Sequence, residues 1–175
     1  MNLPNRIILL RIMLIPVFVI LFYLLETPYK KTILAALFVV MALTDFLDGY
    51  LARKNKQVTE IGALLDPIAD KLITTSVIIL YVGNGIPALM ALILISRDII
   101  VSGIRVFALE YKKRIRVSIL GKIKTTFEII SLILIILEIS FGTILLGIAT
   151  ALSVISGTDY VIKGLKELKT LKKNF

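Results

Sequence analysis

Four carboxylates, Asp45, Asp48, Asp66 and Asp70, lie within two apolar stretches of this 175-residue chain. The first pair belongs to Asp45-Phe-Leu-Asp48-Gly49-Tyr-Leu-Ala52-Arg53. The second follows eight residues later in Gly62-Ala-Leu-Leu-Asp66-Pro-Ile-Ala-Asp70. On helices, a spacing of three or of four puts each pair on one face. A carboxylate at membrane depth costs roughly 2.5–3.5 kcal/mol on insertion scales. Four of them repel one another, and with only Arg53 and Lys71 nearby the set is not balanced by charge. Buried ion pairs that merely fix helix packing would need more basic partners, so the set reads as a cage for hard cations, with room for two. Two divalent ions about 3.5–4 Å apart suit phosphoryl transfer, because they clamp the oxygens around a phosphorus centre.

Composition narrows the chemistry further. The chain has no histidine and no cysteine, which excludes zinc sites of the usual kind and Ser-His or Cys-His nucleophilic catalysis. Metal ligands must be oxygens, as Mg²⁺, Mn²⁺ or Ca²⁺ prefer. A general base must be a carboxylate, a lysine or a tyrosine. The residues between the aspartates fit a bulky anionic substrate: Gly49, Ala52 and Gly62 keep helix faces shallow, and Arg53 offers a forked donor to a phosphate. Pro67 brings no N–H, which leaves the carbonyl of Ala63 without its helical donor.

The elements that must position these groups are membrane helices. Hydrophobic residues make up 58% of the chain, against about 45–50% in a soluble domain, and the mean hydropathy is +0.95. Stretches of about 20 apolar residues predict six spans, at 7–25, 32–52, 62–82, 87–109, 119–139 and 143–165. Turns fall at Pro28, Gly83-Asn84-Gly85 and Gly142. Short loops make sequential helices antiparallel. The expected fold is therefore all-α, an integral membrane bundle of six transmembrane helices in one domain covering 1–175.

Basic residues set the orientation. Fourteen of them, from Arg6 and Arg11 through Arg53, Lys54 and Lys56 and the Lys112–Arg116 cluster to the tail Lys163–Lys173, lie at one set of ends, and only Lys30 and Lys31 at the other. That asymmetry puts both termini, and the aspartates, on the cytoplasmic side of the cell membrane. The net charge of +9 is largely this loop bias, and the little soluble surface left argues against nucleic acid as a partner. The lysine-spaced tail reads as a helix end over anionic lipid headgroups. Asn2-Leu3-Pro4-Asn5 reads as a short surface segment with no signal-cleavage pattern.

The pattern Asp-x₂-Asp-Gly-x₂-Ala-Arg-x₈-Gly-x₃-Asp-x₃-Asp resembles the signature of the CDP-alcohol phosphatidyltransferase family, complete at all eight fixed positions. The resemblance implies a six-helix membrane domain that forms homodimers, covering essentially the whole chain. It implies that Asp45, Asp48 and Asp66 ligate two divalent cations, Mg²⁺ or Mn²⁺, which bind the diphosphate of CDP-diacylglycerol. Asp70 would complete the metal site or deprotonate the acceptor hydroxyl. Gly49, Arg53 and Gly62 would line the CDP pocket, and CMP would leave.

The acceptor is signalled elsewhere. Ser96-Arg97-Asp98, Ser102-Gly103-Ile104-Arg105 and Gly121-Lys122-Ile123-Lys124-Thr125 place cations beside small and hydroxyl residues. Arg97 and Arg105, eight residues apart, share a helix face, and Lys122 and Lys124 open the following helix. Such a cluster suits a phosphate-bearing acceptor. The competing reading has Arg105 and Lys124 reaching to headgroups and Arg97 paired with Asp98. With Asn2-x-Pro4-Asn5, Arg11 and Ser156-Gly157-x-Asp159-Tyr160, these stretches resemble the branch of the family that uses sn-glycerol 3-phosphate. Ile8 and Glu128 depart from that branch, where Thr and Gln are common, and Glu128 sets a negative charge one turn from Lys124. A sibling enzyme using inositol phosphate is the alternative. A divalent-cation transporter would instead spread its carboxylates across the bilayer depth.

Overall fold

The computed structural model describes the backbone of residues 3–54, 71–110 and 118–172, and the side chains of 10, 12–44, 71–108 and 118–162. The described residues form six helices and no strand: α1 (Leu3–Leu24), α2 (Lys30–Lys54), α3 (described over Lys71–Leu80), α4 (Ala88–Glu110), α5 (Ile119–Ile136) and α6 (Phe141–Lys172). The expected all-α class and helix order are what is found. Helix α1 begins earlier than expected, so Leu3-Pro4-Asn5 is its first turn rather than a separate segment. Proline is tolerated there, because a first-turn N–H has no helical acceptor.

The connections are short and chemically specified. Between α3 and α4 the chain reverses through Gly83 and Gly85, at φ +84° and +96°, in the left-handed region that glycine enters freely. The Gly83 N–H donates to the Ile86 carbonyl at 3.0 Å, and the Asn84 N–H to that of Tyr81 at 2.9 Å. Helix α5 ends with Glu138 at φ +59°. There the Ile139 N–H donates to the Leu134 carbonyl and the Glu138 N–H to that of Ile135, which satisfies two terminal carbonyls. Glutamate holds this glycine-like position while its side chain pairs with Lys31 at the start of α2.

Helix α5 packs against α6 and α2, α1 against α2, and α4 against α6. The interior has two regions. Phe18, Leu34, Phe38, Leu94, Leu132 and Leu146 belong to an apolar core, whereas Asp98, Lys124, Glu128, Ser131, Ser153 and Ser156 are buried polar groups. The exterior is apolar instead: Met13, Ile20, Leu92, Ile99, Ile144 and Ile155 are all exposed. Polar groups inside and large aliphatics outside are the partition of a bundle solvated by lipid. Among the described residues one stretch, Phe141–Ile162, is long and apolar enough to cross a bilayer by itself. In α2, α4 and α5 the apolar run is broken by the ionisable residues that could carry function.

The tightest backbone approach lies at the α5–α6 turn. A Cβ on Gly142 would stand 2.9 Å from the Ile135 nitrogen and from the Leu134 Cβ. Gly147, one helical segment on, would meet only Met90 Cε at an ordinary 3.6 Å. Gly142→Ala is therefore expected to destabilise the purified protein by about 1–3 kcal/mol, the usual cost of overpacking. Thermal unfolding in detergent should show a lowered Tm for Gly142→Ala and little change for Gly147→Ala.

Candidate active site

The aspartate set is placed in part. Asp45, Asp48, Gly49 and Arg53 ride on the described backbone of α2, toward its C-terminal end. The three-residue spacing puts Asp45 and Asp48 on one face. Gly62, Asp66 and Asp70 lie outside the described residues. Among the described residues no three metal-binding side chains converge. The donor chemistry nevertheless fits the expected cation, since the candidate set offers carboxylate oxygens alone, as a hard divalent ion prefers.

Lys71 follows Asp70 directly and is the first described residue of α3. With Ala42 of α2 and Thr125 of α5 it lines a small cavity of about 50 Å³. Ala42 stands less than a turn before Asp45, so the aspartate-bearing end of α2, the start of α3 and the first turns of α5 meet there.

Behind this junction lies a buried ion cluster centred on Asp98 of α4, which is only 3% exposed. Lys124 Nζ donates to both Asp98 carboxylate oxygens at 3.0 Å and to Glu128 Oε2 at 2.9 Å. Arg97 Nη1 donates to Asp98 Oδ1 at 2.9 Å, and Lys71 Nζ stands 3.2 Å from Oδ2. Three cations thus share one carboxylate, and the second carboxylate, Glu128, supports Lys124 from one turn along α5. Arg97 is tied onward to α6, where its Nη2 donates to Ser156 Oγ at 3.2 Å. Gly157 makes that reach possible, because a Cβ there would come within 2.8 Å of Arg97 Cγ.

The four basic residues expected at an acceptor site separate into two kinds. Arg97 and Lys124 turn inward, and Lys124 is fully buried instead of reaching toward headgroups. Arg105 and Lys122 lie nearer the surface. Lys122 is exposed in the first turn of α5, and Arg105 is half-buried with its Nε donating to Tyr160 OH at 3.3 Å. The Arg105 guanidinium also lies 5.8 Å from the Tyr160 ring centroid, a cation–π distance. Ser118 caps α5 by accepting from the Gly121 N–H at 3.1 Å, which fixes the turn that presents Lys122. Three buried polar atoms in the described structure lack a protein partner: Arg97 Nε, Glu128 Oε1 and Ser153 Oγ.

Ser156 and Tyr160 belong to one sequence motif, and the motif alone does not show what they hold. Each braces one arginine of α4 across 59 and 55 residues respectively. The available signal was two arginines on one face of α4 and two hydroxyls on one face of α6. In sequence Lys71 is a neighbour of the aspartates, and its ion pair with Asp98 is set by tertiary packing.

The profile of the family described as CDP-alcohol phosphatidyltransferase matches residues 1–155. A protein of Rickettsia typhi is 39% identical over 91% of this chain and 94% of its own length. One of Bacillus subtilis is 36% identical over 97% and 98%, and one of Haemophilus influenzae 42% identical over 75% and 73%. Each of the three is named CDP-diacylglycerol–glycerol-3-phosphate 3-phosphatidyltransferase.

Removing one partner from a buried ion pair strands the other, at a cost of about 3–5 kcal/mol. Lys124→Met is expected to lower the Tm sharply, because it leaves Glu128 Oε2 without its ammonium. Adding Glu128→Leu should recover part of that loss, since Asp98 keeps Lys71 and Arg97. Thermal unfolding of both single variants and of the double variant checks this non-additivity.

Proposed function

We propose that this chain, which belongs to the CDP-alcohol phosphatidyltransferase family, transfers the phosphatidyl group of CDP-diacylglycerol to sn-glycerol 3-phosphate, giving phosphatidylglycerophosphate and CMP in phospholipid synthesis. The observation that carries this reading is the match to relatives of that name over nearly the full length of the chain. The complete eight-position aspartate pattern and the cationic residues of α4 and α5 support it from the chemistry.

The reaction needs the diphosphate held, the acceptor hydroxyl aimed and a proton removed. Asp45, Asp48, Asp66 and Asp70 would hold two Mg²⁺ or Mn²⁺ ions, which supply positive charge against the diphosphate and the departing CMP. Gly49 and Gly62 leave room for the nucleotide against the helix backbones, and Arg53 donates to a phosphate. The acceptor oxygen bonds to the β-phosphorus of CDP-diacylglycerol while the bond from that phosphorus to the bridging oxygen breaks. The electron pair leaves with CMP. Asp70 would serve as a metal ligand, as the base that takes the hydroxyl proton, or as both.

The acceptor phosphate is assigned to the basic cluster, with Arg105 and Lys122 as the accessible contacts and Arg97 and Lys124 supplying positive potential behind them. Tyr160 presets the Arg105 guanidinium, which lowers the entropy lost on binding. In this reading six helices span the plasma membrane with both termini cytoplasmic, the lipid substrate enters laterally, and glycerol 3-phosphate arrives from the cytoplasm. The protein acts as a homodimer.

Asp48→Asn is expected to reduce CMP release to background, as is chelation of divalent ions, with Mg²⁺ or Mn²⁺ restoring the chelated wild type. Arg105→Ala should raise the KM for glycerol 3-phosphate by about one to two orders of magnitude, the worth of a hydrogen bond to a charged group. Its KM for CDP-diacylglycerol should barely change. Assays of the purified protein with each substrate varied decide both points, and absence of product from glycerol 3-phosphate would overturn the assignment of acceptor.

A further inference from the structure

We propose that Asp98 is a positioning residue for the metal-binding carboxylates, acting through its ion pair with Lys71. This inference rests on the proposed role of the aspartates as a divalent-cation site. Asp98 is buried on α4 and lies 3.2 Å from Lys71 Nζ. Lys71 is covalently next to Asp70 and lines the cavity shared with Ala42 of α2 and Thr125 of α5. The opening of α3 is therefore fastened to α4 at the residue adjoining one candidate ligand. Asp98 is itself immobilised, because Lys124 engages both of its oxygens from α5 and Arg97 adds a bond braced on Ser156 of α6.

The arrangement supplies what a cation site made from separate helices lacks. Four carboxylates brought together without their ions would repel one another, so a fixed point beside one of them helps hold their spacing. An ion pair in a low-dielectric interior resists displacement far more than one in water. By holding Lys71, Asp98 would fix the chain at the residue that directly follows Asp70 before a cation arrives. Residues that orient ligands from behind, without touching the ion, commonly govern metal affinity.

The test uses the full chain purified in detergent, as wild type, Asp98→Asn, Lys71→Met, Lys71→Arg and the double variant Asp98→Asn/Lys71→Met. Mn²⁺ binding is read from the electron paramagnetic resonance signal of the free ion, which needs no turnover. CMP release against metal concentration is measured in parallel. Asp98→Asn and Lys71→Met are each expected to weaken Mn²⁺ binding by about tenfold or more. The double variant should be no weaker than the worse single one, and Lys71→Arg, which still offers Asp98 a cation, should stay close to wild type.

CDP-diacylglycerol KM at saturating metal should hold steady across the set, a split that general loosening of the bundle would not give. Should Asp98→Asn fail to fold, Lys71→Met decides alone, since its side chain is partly exposed. Mn²⁺ affinity unchanged in Lys71→Met, or single effects that multiply in the double variant, overturns the inference. A wild type that binds Mn²⁺ yet releases no CMP overturns the proposed reaction and leaves the positioning role standing. A wild type that binds no Mn²⁺ overturns both.

Discussion

Charge inside an apolar bundle must be balanced locally, and here that balance converges on the carboxylate of Asp98. Lys71, Arg97 and Lys124 each direct a cation at it, from α3, α4 and α5. Buried as Asp98, Lys124 and Glu128 are, their charges are screened little, so each of them depends on the others. Ser156 extends the dependence to α6 through Arg97. Four of the six described helices are thus joined at one polar point, and the apolar core of Phe18, Phe38, Leu132 and their neighbours adjoins it, Phe38 lining the same small cavity as Lys71.

The cluster also separates the two signs of charge in the site. The candidate metal ligands come from α2 and the residues preceding α3, and the cations proposed to meet the acceptor phosphate from α4 and α5. Without a countercharge of their own, those cations would be drawn to the aspartates and would neutralise the groups meant for divalent ions. Asp98 and Glu128 occupy Arg97 and Lys124 instead, which leaves Arg105 and Lys122 nearer the surface to meet an anion.

Much of this fold is legible in the amino-acid order, because helix length and turn chemistry are local properties. Gly83 and Gly85 sit where the backbone enters the left-handed region, and Gly142 where two helices touch. Helix ends are less evenly legible: α1 starts at Leu3, ahead of its apolar run, whereas α6 runs on to Lys172 as its lysine spacing implies. At the site, the aspartate pattern and the pairing of Arg97 with Asp98 could be read locally, as could Glu128 one turn from Lys124. That Lys124 turns inward could not, because an i,i+4 neighbour leaves open which way both side chains point. Asp98 as the common partner of α3 and α5 is a product of packing, across 27 and 26 residues of chain.

The ion cluster bears on how the charges of such a chain come to be buried in the first place. Helix α4 carries Arg97 and Asp98, and α5 carries Lys124 and Glu128, each a charge that hydrocarbon accepts reluctantly. Within each helix a neighbouring residue pairs with the charge at 2.9 Å, Arg97 with Asp98 and Lys124 with Glu128, and Lys124 adds two contacts of 3.0 Å to the Asp98 oxygens from one helix to the other. Each helix alone would leave Lys124 or Asp98 with fewer partners than the folded bundle gives it. The full set of partners forms only in the folded bundle, where α6 lies against both α4 and α5, so the burial of these charges is completed by tertiary packing and not by either helix alone.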